Sequence, residues 1–514
     1  MPTLNKPLKC APIKTAIISV SDKTGLIPFA QALHAHGVTM IASGGTQTHL
    51  EAAGIPVVSV SDITQFPELL DGRLKTLHPA IHGGILARRG QDEAVLAEHG
   101  IEMIDLVVVN LYPFEKTVSK SGVSRDAAIE QIDIGGPTLL RGAAKNHAYV
   151  TPVVDTHDYD LILSLLDTEG GIPLETRQRL AQKTFAHTAA YDQAIADYLR
   201  TDNSLTDRFV LSLHRAQTLK YGENPHQEAG YYRSPTEALP WVQRQGNLLS
   251  YNNLMDADAA YRCVRSFERP SCVIVKHANP CGVASANDCA TAYDNAYRCD
   301  PVSAYGGVIA FNRPITAALM TNMIGRQFIE VIIAPRFEDD ALALAASKPA
   351  IRLLQLNTPI TPGIEVRPAL GGWLVQKMDR PFQGQVDVVT TLQPTESQML
   401  DLRFSFIVCQ YLKSNAIVYA KDQCTLGLGG GQMSRVFSAQ IAALKAEEQK
   451  HPLQNCVMAS DAFIPFPDTL EVAAKYGIKA VIQPGGSKRD AEVIEAANRL
   501  GLIMVMTHER HFFH

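Results

Sequence analysis

The chain has 514 residues, with 47 basic and 52 acidic side chains and a formal net charge of −5 at pH 7. This length suggests about three folding units, and the small acidic excess argues against a nucleic-acid-binding protein, which usually carries a basic surface. No apolar run approaches the roughly 18 residues of a membrane span, and residues 1–15 lack the apolar stretch of a secretory signal. We therefore expect a cytoplasmic protein without nucleic-acid or membrane partners.

The nine cysteines are odd in number and include no C-x-x-C pair. A chain of this size does not need disulfides to fold, and the missing pair disfavours a zinc ribbon or a thioredoxin-like redox site. We therefore expect reduced, mostly buried thiols.

The first 200 residues alternate short apolar runs with helical patterns, which is typical of a parallel α/β sheet. Helices are predicted over residues 25–36, from the turn 43–46 to about 54, and over 174–199. Strands are predicted over 15–20, 38–42, 55–60 and 105–110. The polar stretch 201–204 is the predicted domain boundary.

Beyond residue 205 the pattern is again mixed α/β. Residues 272–275 and 416–419 are predicted strands, and each is followed by a polar loop and then glycines, Cys281-Gly282 in one case and 427–431 in the other. This similarity suggests two related subdomains, although the shared residues are too few to prove a duplication. Later strands are predicted over 457–460 and 480–483.

Two loops in the first half suit a phosphate. Ser43-Gly44-Gly45-Thr46 follows a strand and opens a helix, where free backbone amides can hold an anion, although a plain tight turn explains the glycines equally well. Residues 72–79 add two cations and a hydroxyl, which a solvated basic loop would also contain.

Further polar groups follow in residues 110–114, 131–136 and 141–146. The first of these segments ends an apolar strand, at the side of an open α/β sheet where ligands bind. Asp133 and Lys145 would also be compatible with a surface ion pair of little energetic value. Together the loops suit a phosphorylated substrate and a proton-transfer step.

Lys276-His277 follows a predicted buried strand in the second half. A histidine acts as a base near neutral pH, and an adjacent lysine can stabilise an oxyanion, although most such pairs are structural. Zinc nucleobase deaminases share part of this pattern, with H-x-E followed by P-C-x-x-C. Here Asn279 replaces the glutamate, and the next cysteine after Cys281 is Cys289, so we predict neither zinc nor hydrolytic deamination.

Ten segments in the same order resemble one family, the bifunctional purine-biosynthesis enzymes that join phosphoribosylaminoimidazolecarboxamide (AICAR) formyltransferase to inosine monophosphate (IMP) cyclohydrolase. The resemblance covers essentially the whole chain. Each segment alone is modest evidence, but the ordered set is highly specific. The segments are residues 19–25, 43–46, 72–79, 110–114, 131–136, 221–227, 276–282, 413–421, 460–466 and 510–514.

The resemblance implies an α/β protein of two parts. Residues 1–204 would be the cyclohydrolase domain, with a methylglyoxal-synthase-like parallel sheet. Residues 205–514 would be the formyltransferase region, with two cytidine-deaminase-like subdomains split near 370–400. It also implies a homodimer, with 10-formyltetrahydrofolate as co-substrate and no zinc, and it leaves room for a structural monovalent cation.

For the transfer of the formyl group to the 5-amino group of AICAR, the resemblance makes His277 the base. Lys276 would stabilise the tetrahedral oxyanion or relay the proton to the leaving folate nitrogen. The residues that it implies for binding the nucleotide and folate are Lys220, Tyr221, Asn279, Gly306, Asn415, Asp461, Phe463 and Arg510.

For the dehydrative closure of formyl-AICAR to IMP, the resemblance implies four catalytic residues, Lys75, Tyr112, Asp133 and Lys145. The residues that it implies for gripping the nucleotide and its phosphate are Ser19, Ser21, Lys23, Ser43, Gly45, Thr46, Arg73, Thr76, Asn110 and Gly135.

The chain departs from the family pattern at two positions. Lys220 stands where arginine is expected, which removes a bidentate phosphate fork, and Gly430 stands where alanine is expected. Two other functions remain open from the sequence: a nucleotide- or folate-binding module without catalysis, and a cyclohydrolase with an inert second half. The intact Lys276-His277 pair argues against the first of these.

Overall fold

The computed structural model describes residues 8–70, 72–120, 122–201, 205, 207–234, 239–357 and 363–514. The chain forms two compact units, Met1–Ser212 and Leu213–His514, called unit 1 and unit 2 below. The boundary predicted after residue 204 adjoins residues 202–204, which lie outside the described residues, and it stays a prediction.

Unit 1 alternates strands and helices along most of its length. Its strands are β1 (Cys10–Ala11), β2 (Thr15–Val20), β3 (Thr39–Ala42), β4 (Val58–Ser59), β5 (Leu106–Asn110), β6 (Thr151–Val153) and β7 (Ile172–Pro173). Its helices are α1 (Leu26–Ala35), α2 (Gly44–Ala52), α3 (Val60–Thr64), α4 (Pro79–Leu86), α5 (Glu93–Glu98), α6 (Phe114–Val118), α7 (Arg125–Ile129), α8 (Gly135–Lys145), α9 (Tyr159–Glu169) and α10 (Leu174–Leu199).

Five strands of unit 1 form a parallel sheet in the order β4-β3-β2-β5-β6. Both faces are covered, because Ile18 packs with Phe29 of α1 while its neighbour Ile17 packs with Leu140 of α8. This two-sided burial explains why the strands are continuous apolar runs. The order in which successive strands are added to the sheet reverses between β2 and β5, although all five strands are parallel. A reversal of this kind places a binding crevice beyond the carboxyl ends of the two strands.

The strand predicted over residues 55–60 is wrong in extent, since only Val58 and Ser59 pair in the sheet. The Ser59 side chain instead caps α3, accepting a hydrogen bond from Asp62 N at 2.9 Å. The cap begins a helix at Val60, so local capping outweighs the β-propensity of the apolar run. The strands predicted over 15–20, 38–42 and 105–110 and the helix over 174–199 are confirmed to within a residue or so.

Unit 2 has a longer series of elements. Its strands are β8 (His214–Thr218), β9 (Gly230–Arg233), β10 (Trp241–Gln245), β11 (Ser271–Lys276), β12 (Asn279–Ser285), β13 (Gly307–Phe311), β14 (Ile329–Ala334), β15 (Arg352–Leu356), β16 (Ile364–Ala369), β17 (Gly372–Lys377), β18 (Asp387–Val388), β19 (Ile417–Lys421), β20 (Cys424–Gly429), β21 (Val457–Ser460), β22 (Ala480–Gln483) and β23 (Ile503–Met506). Its helices are α11 (Tyr251–Val264), α12 (Cys289–Cys299), α13 (Pro301–Ala304), α14 (Ala317–Arg326), α15 (Asp339–Ala345), α16 (Glu396–Cys409), α17 (Arg435–Glu448), α18 (Asp468–Lys475) and α19 (Asp490–Arg499).

Most strands of unit 2 belong to one sheet, with the order β10-β15-β14-β13-β11-β12-β20-β19-β21-β22-β23-β18 in the described part of the chain. The two halves of this strand order have the same arrangement. In each half an antiparallel hairpin (β11-β12 or β19-β20) adjoins three parallel strands (β13-β14-β15 or β21-β22-β23). The halves meet where β12 pairs with β20 at Ala284 and Cys424. The suggestion of two related subdomains is therefore matched by the topology.

The glycines that follow the two predicted polar loops lie partly within strands. Gly282 is in β12, and Gly427 and Gly429 are in β20. A Cβ at Gly282 would lie 2.0 Å from the Ala296 carbonyl oxygen of α12, and one at Gly427 would lie 2.0 Å from the Ala442 carbonyl oxygen of α17. Glycine is required because a helix backbone packs directly on the strand.

All nine cysteines are unpaired, which matches the prediction of free thiols. None of the helices in the described ranges is long and apolar enough to cross a membrane.

Candidate functional sites

The crevice of unit 1 is built where β2 and β5 end side by side. The Asn110 side-chain oxygen accepts hydrogen bonds from the backbone N–H groups of Ser21, at 2.6 Å, and Asp22, at 2.9 Å. The Ser21 hydroxyl donates to the same oxygen at 2.9 Å. The structure therefore brings Ser21 and Asn110 together where the strand order reverses.

Thr46 and Lys23 form the floor of this crevice. The buried Thr46 hydroxyl bonds to both N and O of Val20, each at 3.1 Å, and so ties the first turn of α2 to the end of β2. Lys23 Nζ donates to Thr46 Oγ1 at 3.3 Å and to the Val20 carbonyl. Desolvation by burial lowers the Lys23 pKa. Ser43 is the N-cap residue of α2 and Gly45 is exposed in its first turn, so both are placed at the helix end suited to an anion.

Lys75 reaches the same region from the loop before α4. Its Nζ lies so close to the start of α2 that a Cβ at Gly44 would be 3.0 Å away. It also forms an ion pair with Glu68, with Nζ and Oε2 3.1 Å apart. Thr76 lies against the first turn of α8, where a Cβ at Gly135 would be 2.8 Å from the Thr76 hydroxyl oxygen.

Asp133 precedes α8 and accepts a hydrogen bond from Gly136 N at 2.9 Å. Its carboxylate also interacts with the backbone N–H groups of Tyr112 and Gly135, which joins the end of β5 to the start of α8. Burial outweighs these bonds and raises the pKa of the carboxyl.

One residue predicted for this set is placed apart from it. Lys145 is the last residue of α8, about 15 Å along the helix from Gly135 at 1.5 Å per residue, and its side chain is exposed. Arg73, two residues before Lys75, is exposed and pairs with Glu130, with N and O 2.7 Å apart. Ser19 is half-buried in β2, and the exposed Tyr112 follows β5.

Tyr191 supports Asp133 from α10, and no motif in the sequence indicates this contact. Its hydroxyl accepts from Asp133 N at 2.8 Å and donates to the Gln131 carbonyl at 3.3 Å. We expect Tyr191→Phe to lower the free energy of unfolding by about 1 kcal/mol, a typical loss for one hydrogen bond, and to slow the reaction that uses Asp133 several-fold. Thermal unfolding and turnover assays check this.

Tyr198→Phe is the matched control, since the rings of both Tyr198 and Tyr191 pack edge-on against Phe114. Equal losses in the two variants would show that the hydrogen bond to Asp133 is not the cause of the loss in Tyr191→Phe.

In unit 2, His277 lies at the tip of the β11-β12 hairpin. The turn consists of His277 and Ala278, both with positive φ (53° and 55°), between the paired residues Lys276 and Asn279. Two-residue hairpin turns of this kind favour Asn-Gly because both central residues need positive φ. The imidazole is exposed. The sequence analysis placed this segment in a loop, and the structure corrects it to a tight turn.

The Lys276 ammonium is fixed beside this turn by the segment before β13. Its Nζ donates to the carbonyl oxygens of Tyr305, at 2.8 Å, and Gly306, at 3.0 Å. Asn279 links the turn to the second half of the sheet, because its side-chain oxygen accepts from Lys413 N at 3.0 Å. Lys276, His277, Asn279 and Gly306 therefore lie close together around this turn.

Asp461 is a carboxylate in the second half of unit 2 with no exposed surface. It accepts hydrogen bonds from Arg435, at 2.7 Å, and from the Ser414 hydroxyl. Arg435, at the start of α17, was missed by the sequence analysis because no motif surrounds it. Its bond to the adjacent Ser460, at 2.7 Å, is likewise visible only in the structure.

The last residues of the chain are attached to the same group. His511 N donates to the Asp461 carbonyl at 3.0 Å, and Ser414 N donates to the Phe513 carbonyl at 2.9 Å. The adjacent Asn415 side chain donates to the Gln432 carbonyl at 2.9 Å. Phe463 is half-buried and Arg510 is exposed.

Lys220 and Tyr221 are held near the start of α11. Lys220 N donates to the Leu249 carbonyl at 3.0 Å, and the Tyr221 carbonyl accepts from Tyr251 N at 3.2 Å. Lys220 Nζ lies 5.4 Å from the centre of the Tyr221 ring, which is a cation–π distance. Their hydrogen bonds thus place them beside the start of α11.

Cys281 follows the turn closely, but it is poorly suited to be a nucleophile. It is buried, its Sγ donates to the Ile274 carbonyl at 3.5 Å, and burial raises its pKa to about 12. The reactive form is the thiolate, so we expect iodoacetamide at pH 8 to label the half-buried Cys10 well before Cys281. Peptide mapping by mass spectrometry, with turnover assays after labelling, checks this. Rapid labelling of Cys281 would contradict it.

Within the described ranges, no group of three or more His, Cys, Asp and Glu side chains is arranged to hold a metal ion.

Comparison with known proteins gives two family matches. A family model described as AICARFT/IMPCHase bienzyme matches residues 143–445, which is more than half of the chain. A model described as MGS-like domain matches residues 25–138, within unit 1. Among solved structures, one titled "Crystal structure of ForH" is 41% identical over 36% of this chain and 95% of that chain, with a TM-score of 0.34.

Proposed function

The chain belongs to the AICARFT/IMPCHase bienzyme family, and from this premise we propose how its residues divide the two reactions of that family. It is a bifunctional transferase and cyclohydrolase of purine biosynthesis. A formyl group passes from 10-formyltetrahydrofolate to the 5-amino group of AICAR, and formyl-AICAR then closes its second ring with loss of water. The MGS-like match and the parallel sheet of unit 1 agree with the fold predicted from the sequence.

We propose that formyl transfer takes place at the His277 turn. The AICAR amine is a weak nucleophile, since its lone pair delocalises into the imidazole and carboxamide, so it needs a base within hydrogen-bond distance. His277 takes the amine proton as the new C–N bond forms. The proton then passes to the folate nitrogen as its C–N bond breaks and tetrahydrofolate leaves.

Lys276 stabilises the charge that develops in this step. An ammonium group has three donors, and two of them bond to the carbonyls of Tyr305 and Gly306. Among the residues that the structure describes, the third has no hydrogen-bond partner, so it can donate to the oxyanion of the tetrahedral intermediate. The observation that carries the proposal is this pairing of an exposed imidazole with an ammonium already fixed in place. Tyr221, Asn415, Asp461, Phe463 and Arg510 remain proposed contacts for the nucleotide and folate.

We propose that ring closure takes place in the unit 1 crevice. The carboxamide nitrogen attacks the formyl carbon of the same molecule, so the site must fold the substrate and stabilise the charge on the oxygen. Lys75 supplies the cation. Asp133, with its raised pKa, supplies a proton to the departing hydroxide, and Tyr112 lies beside it. Lys145 remains a candidate for ring closure, although its position at the far end of α8 does not place it in the crevice. The rate of ring closure in a Lys145→Ala variant tests this role.

The direct experiment incubates the purified chain with AICAR and 10-formyltetrahydrofolate. Absorbance follows the release of tetrahydrofolate, and mass spectrometry detects formyl-AICAR and IMP. We expect both tetrahydrofolate and IMP. Recovery of neither would contradict the assignment of both sites, and formyl-AICAR without IMP would contradict the unit 1 assignment alone.

We also propose that the enzyme is a cytoplasmic homodimer. The hairpin β16-β17 supports the dimer, because Leu370, Trp373 and Leu374 are 109%, 69% and 64% exposed, and exposed apolar groups of this kind favour association. The unpaired cysteines support a reducing compartment. Sedimentation of the wild type and of Trp373→Lys tests the dimer, which the lysine is expected to weaken. A monomeric wild type at micromolar concentration would contradict it.

The resemblance allows a structural monovalent cation, but neither reaction step described above requires one. The fully buried Asp461 carboxylate does not need a cation to balance its charge, because Arg435 and Ser414 already donate hydrogen bonds to it.

A further inference from the structure

The His277 turn has an unusual sequence for its conformation. His277 and Ala278 both adopt the left-handed region, with φ of 53° and 55°. Residues other than Gly, Asn, Asp and His rarely adopt it, because Cβ approaches the following carbonyl oxygen, so Ala278 is the unusual residue of the pair. Such a conformation persists only when surrounding groups impose it.

Asp256 is the group that faces the turn from α11. Its carboxylate accepts a hydrogen bond from Ala278 N at 2.6 Å and also interacts with the backbone N–H of His277. Both central peptides of the turn are thus held by one side chain. The same carboxylate lies within electrostatic reach of the Lys276 and His277 side chains, and burial raises its pKa.

The second half of unit 2 contains the same arrangement, in which an aspartate of a helix holds both backbone N–H groups of a left-handed turn. Asp401 of α16 accepts hydrogen bonds from Asp422 N at 2.9 Å and Gln423 N at 2.7 Å. Asp422 and Gln423 form the β19-β20 turn, with φ of 53° and 52°. Corresponding residues of the two halves are 145 positions apart in the sequence: Asp256 corresponds to Asp401, and His277 corresponds to Asp422. Here Asp422 takes the place of His277.

The two turns lie at opposite ends of the paired strands. β12 starts directly after the His277 turn, and its last residue, Ser285, donates through its backbone N to the Gln423 carbonyl at 2.9 Å. The Asp401 turn is thus a copy of the same backbone structure, remote from the proposed transfer site.

We propose that Asp256 is a positioning residue for formyl transfer: it holds the left-handed turn that presents the His277 imidazole to the AICAR amine. This inference rests on the proposed role of His277. Asp256 does not touch the substrate. It fixes the backbone from which the base projects, and a displacement of about 1 Å at a reacting group costs up to about 100-fold in rate.

The test compares Asp256→Asn with Asp401→Asn in the full-length protein. Each amide variant keeps the side-chain size but replaces one accepting oxygen with a donating NH₂ group, which faces a backbone N–H. We expect Asp256→Asn to lower the kcat of formyl transfer about 10- to 100-fold, with the KM for AICAR changed less than about twofold. Asp401→Asn should lower thermal stability by a similar amount and leave kcat within about twofold. Closure of added formyl-AICAR should be unchanged in both.

A double-variant cycle tests whether Asp256 acts through the imidazole. In a His277→Asn background, which keeps a residue that tolerates positive φ, adding Asp256→Asn should change the residual transfer rate less than about twofold. Equal kcat losses in Asp256→Asn and Asp401→Asn, or additive losses in the cycle, would overturn the proposal. If Asp256→Asn does not fold, Asp256→Glu takes its place in the test. We expect a smaller fall in kcat for Asp256→Glu, and a kcat equal to that of the wild type would overturn the proposal.

The outcome separates this inference from the function on which it rests. If His277→Asn keeps near-normal transfer, the base assignment fails. If His277→Asn loses transfer while Asp256→Asn keeps it, only the positioning role fails.

Discussion

Replacing His277 by alanine should abolish most formyl transfer while leaving ring closure intact. General-base catalysis contributes about 10²- to 10⁴-fold, and we expect kcat for transfer to fall by this factor. The AICAR amine then has no acceptor for its proton, although Lys276 remains bonded to Tyr305 and Gly306. The measurement is tetrahydrofolate release with AICAR, beside IMP formation from added formyl-AICAR.

The control for this variant must separate loss of the base from loss of the turn. His277→Asn serves, because asparagine adopts positive φ readily and has no basic nitrogen. Both variants should be equally impaired if the imidazole is the base. Near-normal transfer in the alanine variant would remove His277 from the mechanism, and loss of closure in either variant would contradict the assignment of the two reactions to two sites.

Replacing Lys75 by alanine should have the opposite pattern. Ring closure builds charge on an oxygen, and removing one such stabilising group typically costs about 10²- to 10³-fold. We expect closure of formyl-AICAR to fall by this factor, and formyl transfer to stay within about twofold of the wild type. The variant should therefore accumulate formyl-AICAR when supplied with AICAR and 10-formyltetrahydrofolate, which mass spectrometry detects directly.

Lys14→Ala is the matched control, since Lys14 is exposed and precedes β2, at the opposite end of that strand from Ser21. It removes the same charge from unit 1 without approaching the crevice, so closure should be unaffected. Equal loss in the two lysine variants would show a general effect of net charge, and loss of both reactions in Lys75→Ala would sink the model of two independent sites.

The sequence predicts the frame of the fold well where burial decides the pattern. Strands such as β2 and β5 are covered on both faces, so their apolar runs are continuous and their bounds are clear. The prediction over residues 55–60 is wrong because a serine cap competes locally with the strand. The hairpin after Lys276 is missed because His-Ala is not a recognisable turn sequence; its conformation depends on a contact with a helix distant in sequence.

The site residues also divide into those that local motifs predict and those that depend on contacts distant in sequence. Those within motifs, such as Ser21 with Asn110 or Lys276 with Gly306, are brought together by the ends of neighbouring strands. Arg435 and Tyr191 act through hydrogen bonds to residues distant in sequence and leave no local pattern to detect. Lys145 shows the converse, since closeness to Asp133 in sequence becomes separation along a helix.

The pairing of β12 with β20 also has an evolutionary consequence. A half-length ancestor could complete the same sheet by joining two identical chains through this strand, as symmetric dimers do with a self-complementary edge. In such a dimer every mutation appears twice, so both turns would have to carry the same side chain. Fusion of the two copies into one polypeptide breaks that symmetry and allows one turn to keep an imidazole while its twin carries a carboxylate.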